Sequence, residues 1–343
     1  MVVVAVAGGT GHVGRTLVDG LIAGGHDVYV LGRKPSAVFD HLPSVRVLVV
    51  SYDDQDDLRK TFEEHKIEII LCTFGAPFPG VFERQIRLIR AAAEADAVKR
   101  FAPTEWLVDY EKDDEYASPQ EPGEHEVSCR LKIIWKSFQQ DTVKELRKHP
   151  SIEWTLFHNG YFMDYFGQPY ALTYMPSEVP FVDIEACKAA IPGTGEERVV
   201  FTHSTDMAKF VSRAIGMKPG SWKEHSWIIG DKVTFHEIVA TAEKARGVKF
   251  DVAYDPLEKL REGKVTRIPA NDAHIAHYST EKFDATDVIL GMFAGLGTAM
   301  ALGDLDIKEE DALNANFPDI KTVKLVAFIE KYWTGRQPQD PKL

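Results

Sequence analysis

Residues 4–14, VAVAGGTGHVG, carry a short apolar run straight into glycines and out again into a helical pattern. Few folds accept that arrangement. The β-branched run Val2–Ala7 predicts a strand buried on both faces, as in a parallel sheet. Beyond it, Gly8, Gly11 and Gly14 have the GxxGxxG spacing, with Gly9 adding freedom. Such a turn needs positive φ at its start, lets the backbone approach a pyrophosphate, and packs the following helix closely on the strand. Thr10, His12 and Val13 lie between the glycines, where the amides opening the helix face an anion. The motif follows a strand, opens a helix and begins a βαβ unit, and this context predicts a dinucleotide-binding turn.

The remaining pattern extends that unit. After the helix from His12 to Ala23, stopped by Gly24 and Gly25, the spacing predicts strands at 27–33, 45–50, 67–75 and 98–106, with helices at 56–65 and 81–96. This alternation predicts an α/β fold, a doubly wound parallel sheet with helices on both faces. Residues 107–126 are polar, acidic and contain proline, which predicts a long surface loop. A helix over 129–148 and a strand over 152–158 follow, then the aromatic stretch NGYFMDYFGQPYALTYMP, suited either to core or to the wall of a pocket for a flat apolar ligand. Residues 197–216 predict a strand and a helix capped near Ser204 or Thr205; 225–247 repeat that order with Thr234 as N-cap and Glu237 three residues on. Further helices are expected near 284–302 and 320–333.

Composition excludes several classes of function. The 343 residues carry 52 acidic against 40 basic side chains, a formal charge of −12, with no basic block, so no nucleic-acid partner is expected. The cysteines Cys72, Cys129 and Cys187 lack metal or redox spacing, which predicts a reducing compartment. No stretch approaches a membrane span and no signal peptide is evident, so we expect a cytoplasmic protein, a monomer or a homodimer.

The second predicted strand ends in LGRKP. Dinucleotide folds that select NAD place an acidic residue near this point for the ribose hydroxyls. Here stand Arg33 and Lys34, two cations suited to a 2′-phosphate, so NADPH/NADP+ is the expected cofactor. Arg15, just after the glycines, is a further candidate contact.

Together, AGGTGHVG, RFAPTEW, EWTLFHNGYFMDYF and FTHSTDMAKFV resemble the NmrA-like and isoflavone-reductase-like group of atypical short-chain dehydrogenases, and its fungal members most closely. The likeness runs to about residue 300. RFAPTEW resembles the group's R-F-x-P-S-E-[FW]-G, with Thr104 in place of Ser and Leu107 in place of Gly. The resemblance implies a Rossmann-type domain, residues 1–160 with 197–240 contributing, and a smaller C-terminal α+β substrate-binding region from 161–196 and 241–343. It implies NADPH along the loops after the strands, with Gly8, Gly11, Gly14 and Arg33 at the adenosine and pyrophosphate end. Thr73, Phe74 and Gly75 would lie beneath the cofactor; Pro103, Thr104, Asn159, Gly160 and Phe162 would lie nearer the nicotinamide.

The group often keeps a lysine on the helix after the fifth strand. Counted without gaps that position is Gln140; a longer helix-to-strand connection moves it to Lys136, one turn away on the same face. Lys136 is thus the candidate catalytic residue, as proton donor or as orienting group for the carbonyl and ribose, with Lys132 behind it. His158, at a strand end, is suited equally to packing. Tyr278-x-x-x-Lys282 repeats the spacing of the better-known dehydrogenases but lies far from the helix that would carry it. Trp106, Tyr161 and Tyr165 are the candidate substrate contacts. Three functions stay open: an NADPH-dependent reductase of an aromatic or polyketide-like small molecule at an enone, ketone or benzylic position, in secondary metabolism; an NADP(H)-binding redox sensor without turnover; and a redox-neutral isomerase or cyclase.

Overall fold

The computed structural model describes residues 1–75, 80–107, 138–281 and 283–336. Its centre is a six-stranded, wholly parallel sheet in the order β3-β2-β1-β4-β5-β6. These strands are β1 (Val3–Ala7), β2 (Asp27–Gly32), β3 (Val45–Val49), β4 (Ile69–Cys72), β5 (Arg100–Ala102) and β6 (Glu153–Trp154). β1 sits between β2 and β4, with Val4 opposite both Val28 and Ile69, so the most apolar run takes the middle of the sheet. The strand order reverses direction around β1, which creates a crevice at the carboxyl ends of β1 and β4.

Two helices cover one face. α2 (Gln55–Glu64) starts at Asp54, whose carboxylate accepts the Asp57 amide, and buries Leu58 and Phe62. α3 (Val81–Glu94) buries Leu88, Ile89, Ala91 and Ala92. The other face carries α1 (His12–Ala23), which buries Leu17, Val18 and Leu21, and beside it α5 (Ser204–Ile215). These two helices touch through small residues: a Cβ on Gly20 would stand 2.6 Å from the Ala208 Cβ. The helical residues 138–147 form α4.

The predicted strand over 152–158 is two strands. Thr155 ends the main-sheet strand β6, and β7 (Leu156–His158) pairs in parallel with β12 (His225–Trp227). Thr155 makes the corner: its amide donates to the Phe101 carbonyl and its hydroxyl to Ser226 Oγ at 2.8 Å. Only the first part of 98–106 is a strand, because Pro103 has no amide to give to the ladder.

The later chain builds two small sheets. β8 (Tyr161–Phe162), β11 (Val199–Thr202) and β13 (Asp231–Val233) form one; β9 (Val182–Asp183), β10 (Lys188–Pro192) and β14 (Asp251–Asp255) form the other. Around them lie α6 (Phe235–Arg246), α7 (Leu257–Arg261), α8 (Pro269–Tyr278), α9 (Thr286–Ala301) and α10 (Leu325–Trp333). α6 begins with the predicted capping box of Thr234 and Glu237. α5 departs from expectation: its N-cap is His203, whose Nδ1 accepts the Thr205 amide at 3.2 Å. Ser204 is already occupied elsewhere, by a buried carboxylate described below.

One buried cation ties the main sheet to α5. Arg100, 5% exposed on β5, pairs with Glu153 at 2.7 Å. Its remaining donors reach the carbonyls of Ile215, Met217 and Lys218 at the end of α5, at 3.0, 2.8 and 2.6 Å. A guanidinium satisfies several donors in one plane and suits the negative end of a helix. Arg100→Met would leave Glu153 with only the Trp222 amide and take the guanidinium from the Ile215 and Met217 carbonyls, and should lower unfolding stability by about 3 to 5 kcal/mol, measured by urea denaturation.

Candidate functional site

The glycine turn has no room for side chains where the fold needs closeness. Gly8 has φ +78°, and a Cβ there would lie 2.7 Å from the Thr73 carbonyl oxygen. A Cβ on Gly14 would lie 2.5 Å from the Gly8 carbonyl oxygen and 2.6 Å from the Gly9 Cα. Gly11 differs: its backbone is extended, and a Cβ would meet only the Gly8 carbonyl, at 3.2 Å. Thus Gly8 and Gly14 close the turn on itself, and Gly11 keeps its outer side bare. No side chain caps α1 and no acidic residue occupies its first turn. The amides of a helix's first turn lack intrahelical acceptors, so here they face outward as anion donors. Thr10, Gly11 and His12 are exposed around them, with Val13 half-buried.

The carboxyl ends of β1, β4 and β5 meet beneath this turn. Thr73 donates from its amide and its hydroxyl to the Ala7 carbonyl, at 2.8 and 2.9 Å. Phe74 packs edge-on against Tyr52, whose hydroxyl donates to the Leu31 carbonyl. Gly75 is exposed. Thr104 donates its hydroxyl to the Phe74 carbonyl, and its amide donates to Gln85 Oε1, both at 2.9 Å. Pro103 and Thr104 are buried. Gln85, fully buried on α3, also donates to Thr142 on α4. Sequence patterning missed Gln85, yet a signal was present: it is the one polar residue on the face that carries Leu88, Ile89 and Ala92.

Asn159 and Gly160 join the same floor. The Gly160 amide donates to the Leu107 carbonyl at 3.2 Å, and Gly160 needs its φ of +63° because a Cβ would lie 2.2 Å from the Val200 carbonyl oxygen. Asn159 is fully buried; its Nδ2 donates to the Gly160 carbonyl while its Oδ1 has no partner among the described residues. Phe162 is buried on β8. Trp106 is anchored beneath the sheet, with Nε1 donating to the Cys72 carbonyl and its ring stacked on Phe157. His158 is packed among His225 and Trp227. Lys136 and Lys132 lie outside the described residues; Gln140 lies on α4, half-buried. Tyr278 ends α8, and Lys282 lies outside the described residues.

At the end of β2, Arg33 and Lys34 are exposed, and neither forms an ion pair with a described residue. Arg15 does not stand free with them. Its guanidinium lies 4.0 Å from the centre of the Tyr174 ring.

Most of the aromatic stretch after Gly160 is core. Tyr161 and Tyr165 are buried with ring centres 5.0 Å apart, and burial holds both phenols well above their ordinary pKa. The Tyr161 hydroxyl donates to the Glu178 carbonyl at 3.2 Å. Tyr161, Tyr165, Phe166, Glu178, Phe181 and Phe201 line an apolar space on the scale of one water molecule. The stretch is fixed by Asp164, which is fully buried. Its carboxylate accepts the Ser204 amide at 2.8 Å, the Ser204 hydroxyl at 2.6 Å and the Thr173 hydroxyl at 2.7 Å. This carboxylate sits at the positive end of α5, where a buried charge is most easily held. Among the described residues no cluster of metal ligands occurs, and no helix is long and apolar enough to cross a membrane.

Residues 2–289 match the model of the NmrA-like family. The chain belongs to the NmrA-like family. A relative from Metarhizium robertsii, the oxidoreductase swnN, is 30% identical over 99% of this chain and 100% of its own length. The oxidoreductase BOA1 of Botryotinia fuckeliana is 33% identical over 73% of this chain and 78% of its own. Among solved structures, AtPrR2 with NADP+ and (+)pinoresinol superposes with a TM-score of 0.68 at 20% identity, covering 96% of this chain and 98% of that one. The likeness shows that this NmrA-like chain has the fold of that structure.

Asp164→Ala would remove the buried carboxylate at the start of α5 and leave the Ser204 and Thr173 hydroxyls without their acceptor. We expect a loss of about 2 to 4 kcal/mol in unfolding stability, checked by urea denaturation. The Tyr161–Tyr165 segment should become accessible, detected as faster amide exchange over 161–174.

Proposed function

We propose that this NmrA-like protein is an NADPH-dependent reductase of an aromatic or polyketide-like small molecule, acting at an enone, ketone or benzylic carbon. The observation that carries the reading is the uncapped, acid-free start of α1 over a turn closed by Gly8 and Gly14, with two cations at the end of β2 that form no ion pair with a described residue. The residues fit the cofactor. Gly11 leaves a bare approach for a pyrophosphate, and the amides around Thr10, His12, Val13 and Gly14 provide donors for it. Arg33 and Lys34 would take the 2′-phosphate, a dianion that an NAD-type acidic residue would repel. Thr73, Phe74 and Gly75 would bear the cofactor from below. Pro103, Thr104, Asn159, Gly160 and Phe162 would frame its nicotinamide end, where the unpartnered Asn159 Oδ1 can accept from an amide.

NADPH supplies a hydride when bound, and the chain's own task is to orient, exclude water and provide a proton. Thr104 is fixed by Gln85 and Phe74, so it presents a rigid edge rather than a mobile one. Trp106, Tyr161 and Tyr165 form the aromatic boundary of the substrate side. The proton-donor or orienting role of Lys136 rests on the sequence alone. The relative solved with NADP+ and (+)pinoresinol supports both the cofactor and the aromatic class of substrate.

Two variants test the cofactor assignment. Arg33→Ala should weaken NADPH binding by roughly ten- to hundred-fold, the equivalent of losing a charged hydrogen bond of about 1.5 to 3 kcal/mol, and should leave NADH binding within about two-fold; calorimetric titration of both nucleotides decides it, and equal losses would remove the 2′-phosphate contact. Gly11→Val keeps an extended backbone that any residue adopts, meets only the Gly8 carbonyl at 3.2 Å and should still fold, yet lose nucleotide binding by more than about a hundred-fold as its branches fill the pyrophosphate approach. Retained affinity in that variant would overturn the glycine-turn site.

A further inference from the structure

Arg15 donates its amide to the Gly11 carbonyl at 2.9 Å, so it stands one turn above that glycine on the same face of α1. Side chains on a helix lean toward its N-terminus and cover the turn before their own Cα. The Arg15 side chain therefore leans over the bare outer side of Gly11, beside the unpaired amides of the first turn. Its guanidinium lies over the Tyr174 ring, 4.0 Å from the centre. No described carboxylate forms an ion pair with it. A cation over a ring face is held by the ring's quadrupole and gives up no hydrogen-bond donor in the process. Arg15 is thus anchored without being neutralised.

The chain, not the arginine, fixes that ring. Thr173 donates its hydroxyl to the buried Asp164 carboxylate at 2.7 Å and accepts the Met175 amide at 3.1 Å. Gln168 Nε2 donates to the Met175 carbonyl at 2.7 Å. Tyr174 therefore sits between two residues that are each held by a side chain. Burial, and after it the Asp19 carboxylate, holds the Tyr174 phenol above its ordinary pKa, so the hydroxyl end is engaged while the ring face takes the cation. Loss of hydration, and after it the Arg15 charge, holds the His12 imidazole below its ordinary value, in keeping with a guanidinium turned toward the helix start.

We propose that Arg15 is a clamp for the pyrophosphate of the dinucleotide and that Tyr174 is its positioning residue. This rests on the reductase reading above and adds to it a link from the glycine turn to the aromatic stretch. A guanidinium offers paired N–H donors that match two phosphate oxygens. One already oriented on a ring loses less freedom when the anion arrives. A bound dinucleotide would hold Arg15 between phosphate and ring, and so restrain residues 171–175 before an aromatic substrate enters.

A double-mutant cycle, read as nucleotide affinity of the full-length protein, tests the clamp. Pyrophosphate is common to NADPH and NADH, whereas the 2′-phosphate is not. Arg15→Gln should therefore weaken both nucleotides by the same factor, roughly ten- to thirty-fold, unlike Arg33→Ala. Tyr174→Leu should weaken both about three- to five-fold, and Tyr174→Phe, which keeps the ring, should stay within about two-fold. In the Arg15→Gln background Tyr174→Leu should cost nothing further, which a purely structural role for the ring would not give. Nucleotide should also slow amide exchange over 171–175 in the wild type and not in Arg15→Gln. That exchange measurement and the NADPH-to-NADH comparison decide the matter even if Tyr174→Leu does not fold. Unchanged affinity in Arg15→Gln, a loss confined to NADPH, or additive losses in the double variant overturns the clamp and leaves the cofactor assignment standing. Failure of the wild type to bind either nucleotide overturns the reductase reading and this inference with it.

Discussion

The contact between Gly14 and Gly8 governs how the first helix meets the parallel sheet of this protein. With 2.5 Å between a hypothetical Gly14 Cβ and the Gly8 carbonyl oxygen, α1 lies as near to the end of β1 as backbones allow. That nearness aims the first turn of α1 across the carboxyl ends of β1 and β4 and puts its unpaired amides in the crevice. It also sets the height of α1 above the sheet. α5 can then lie against α1 through Gly20 and Ala208, and Arg100 can reach from β5 to the end of α5. Enlarging any of these small residues would separate layers that the later contacts assume are close.

Much of this was legible in the sequence because it is local. Val2–Ala7, the glycine spacing, the Gly24–Gly25 stop and the Thr234–Glu237 capping box each depend on residues within one turn or strand of one another. The breaks were less legible. Thr155 looks like any β-branched strand residue, and only its distant partners, Phe101 and Ser226, reveal that the run changes sheets there. The cap of α5 falls one residue before Ser204 for a related reason. Ser204 has the side chain of an N-cap, but Asp164, forty positions earlier, claims its amide and its hydroxyl, and His203 takes the capping position. Local propensity cannot foresee a buried carboxylate arriving from elsewhere in the chain.

The same distinction holds in the candidate site. Arg33 and Lys34 are recognisable from their place after β2, since a cation where an acid is customary has a direct electrostatic meaning. Gln85 and Asn159 are not recognisable that way. Each matters through tertiary surroundings: Gln85 by spanning Thr104 and Thr142, Asn159 by burial with an acceptor that has no partner among the described residues. Arg15 is legible only in part. Its position beside the glycines makes it a candidate phosphate contact, and only the structure shows its guanidinium over the Tyr174 ring of the aromatic stretch.

The corner at Thr155 bears on how the scaffold can vary. Trp154 is fixed by pairing with Phe101 and His158 by pairing with Trp227, so the chain between them is pinned at both ends in different sheets. Because side chains alternate faces along a strand, adding or removing one residue here would exchange the faces of every position up to Asn159. The surface connections elsewhere can lengthen with little consequence for the crevice, whereas this stretch tolerates substitution but not a change of length. Transfer of the crevice to another doubly wound sheet would therefore have to carry residues 153–160 as one uninterrupted block.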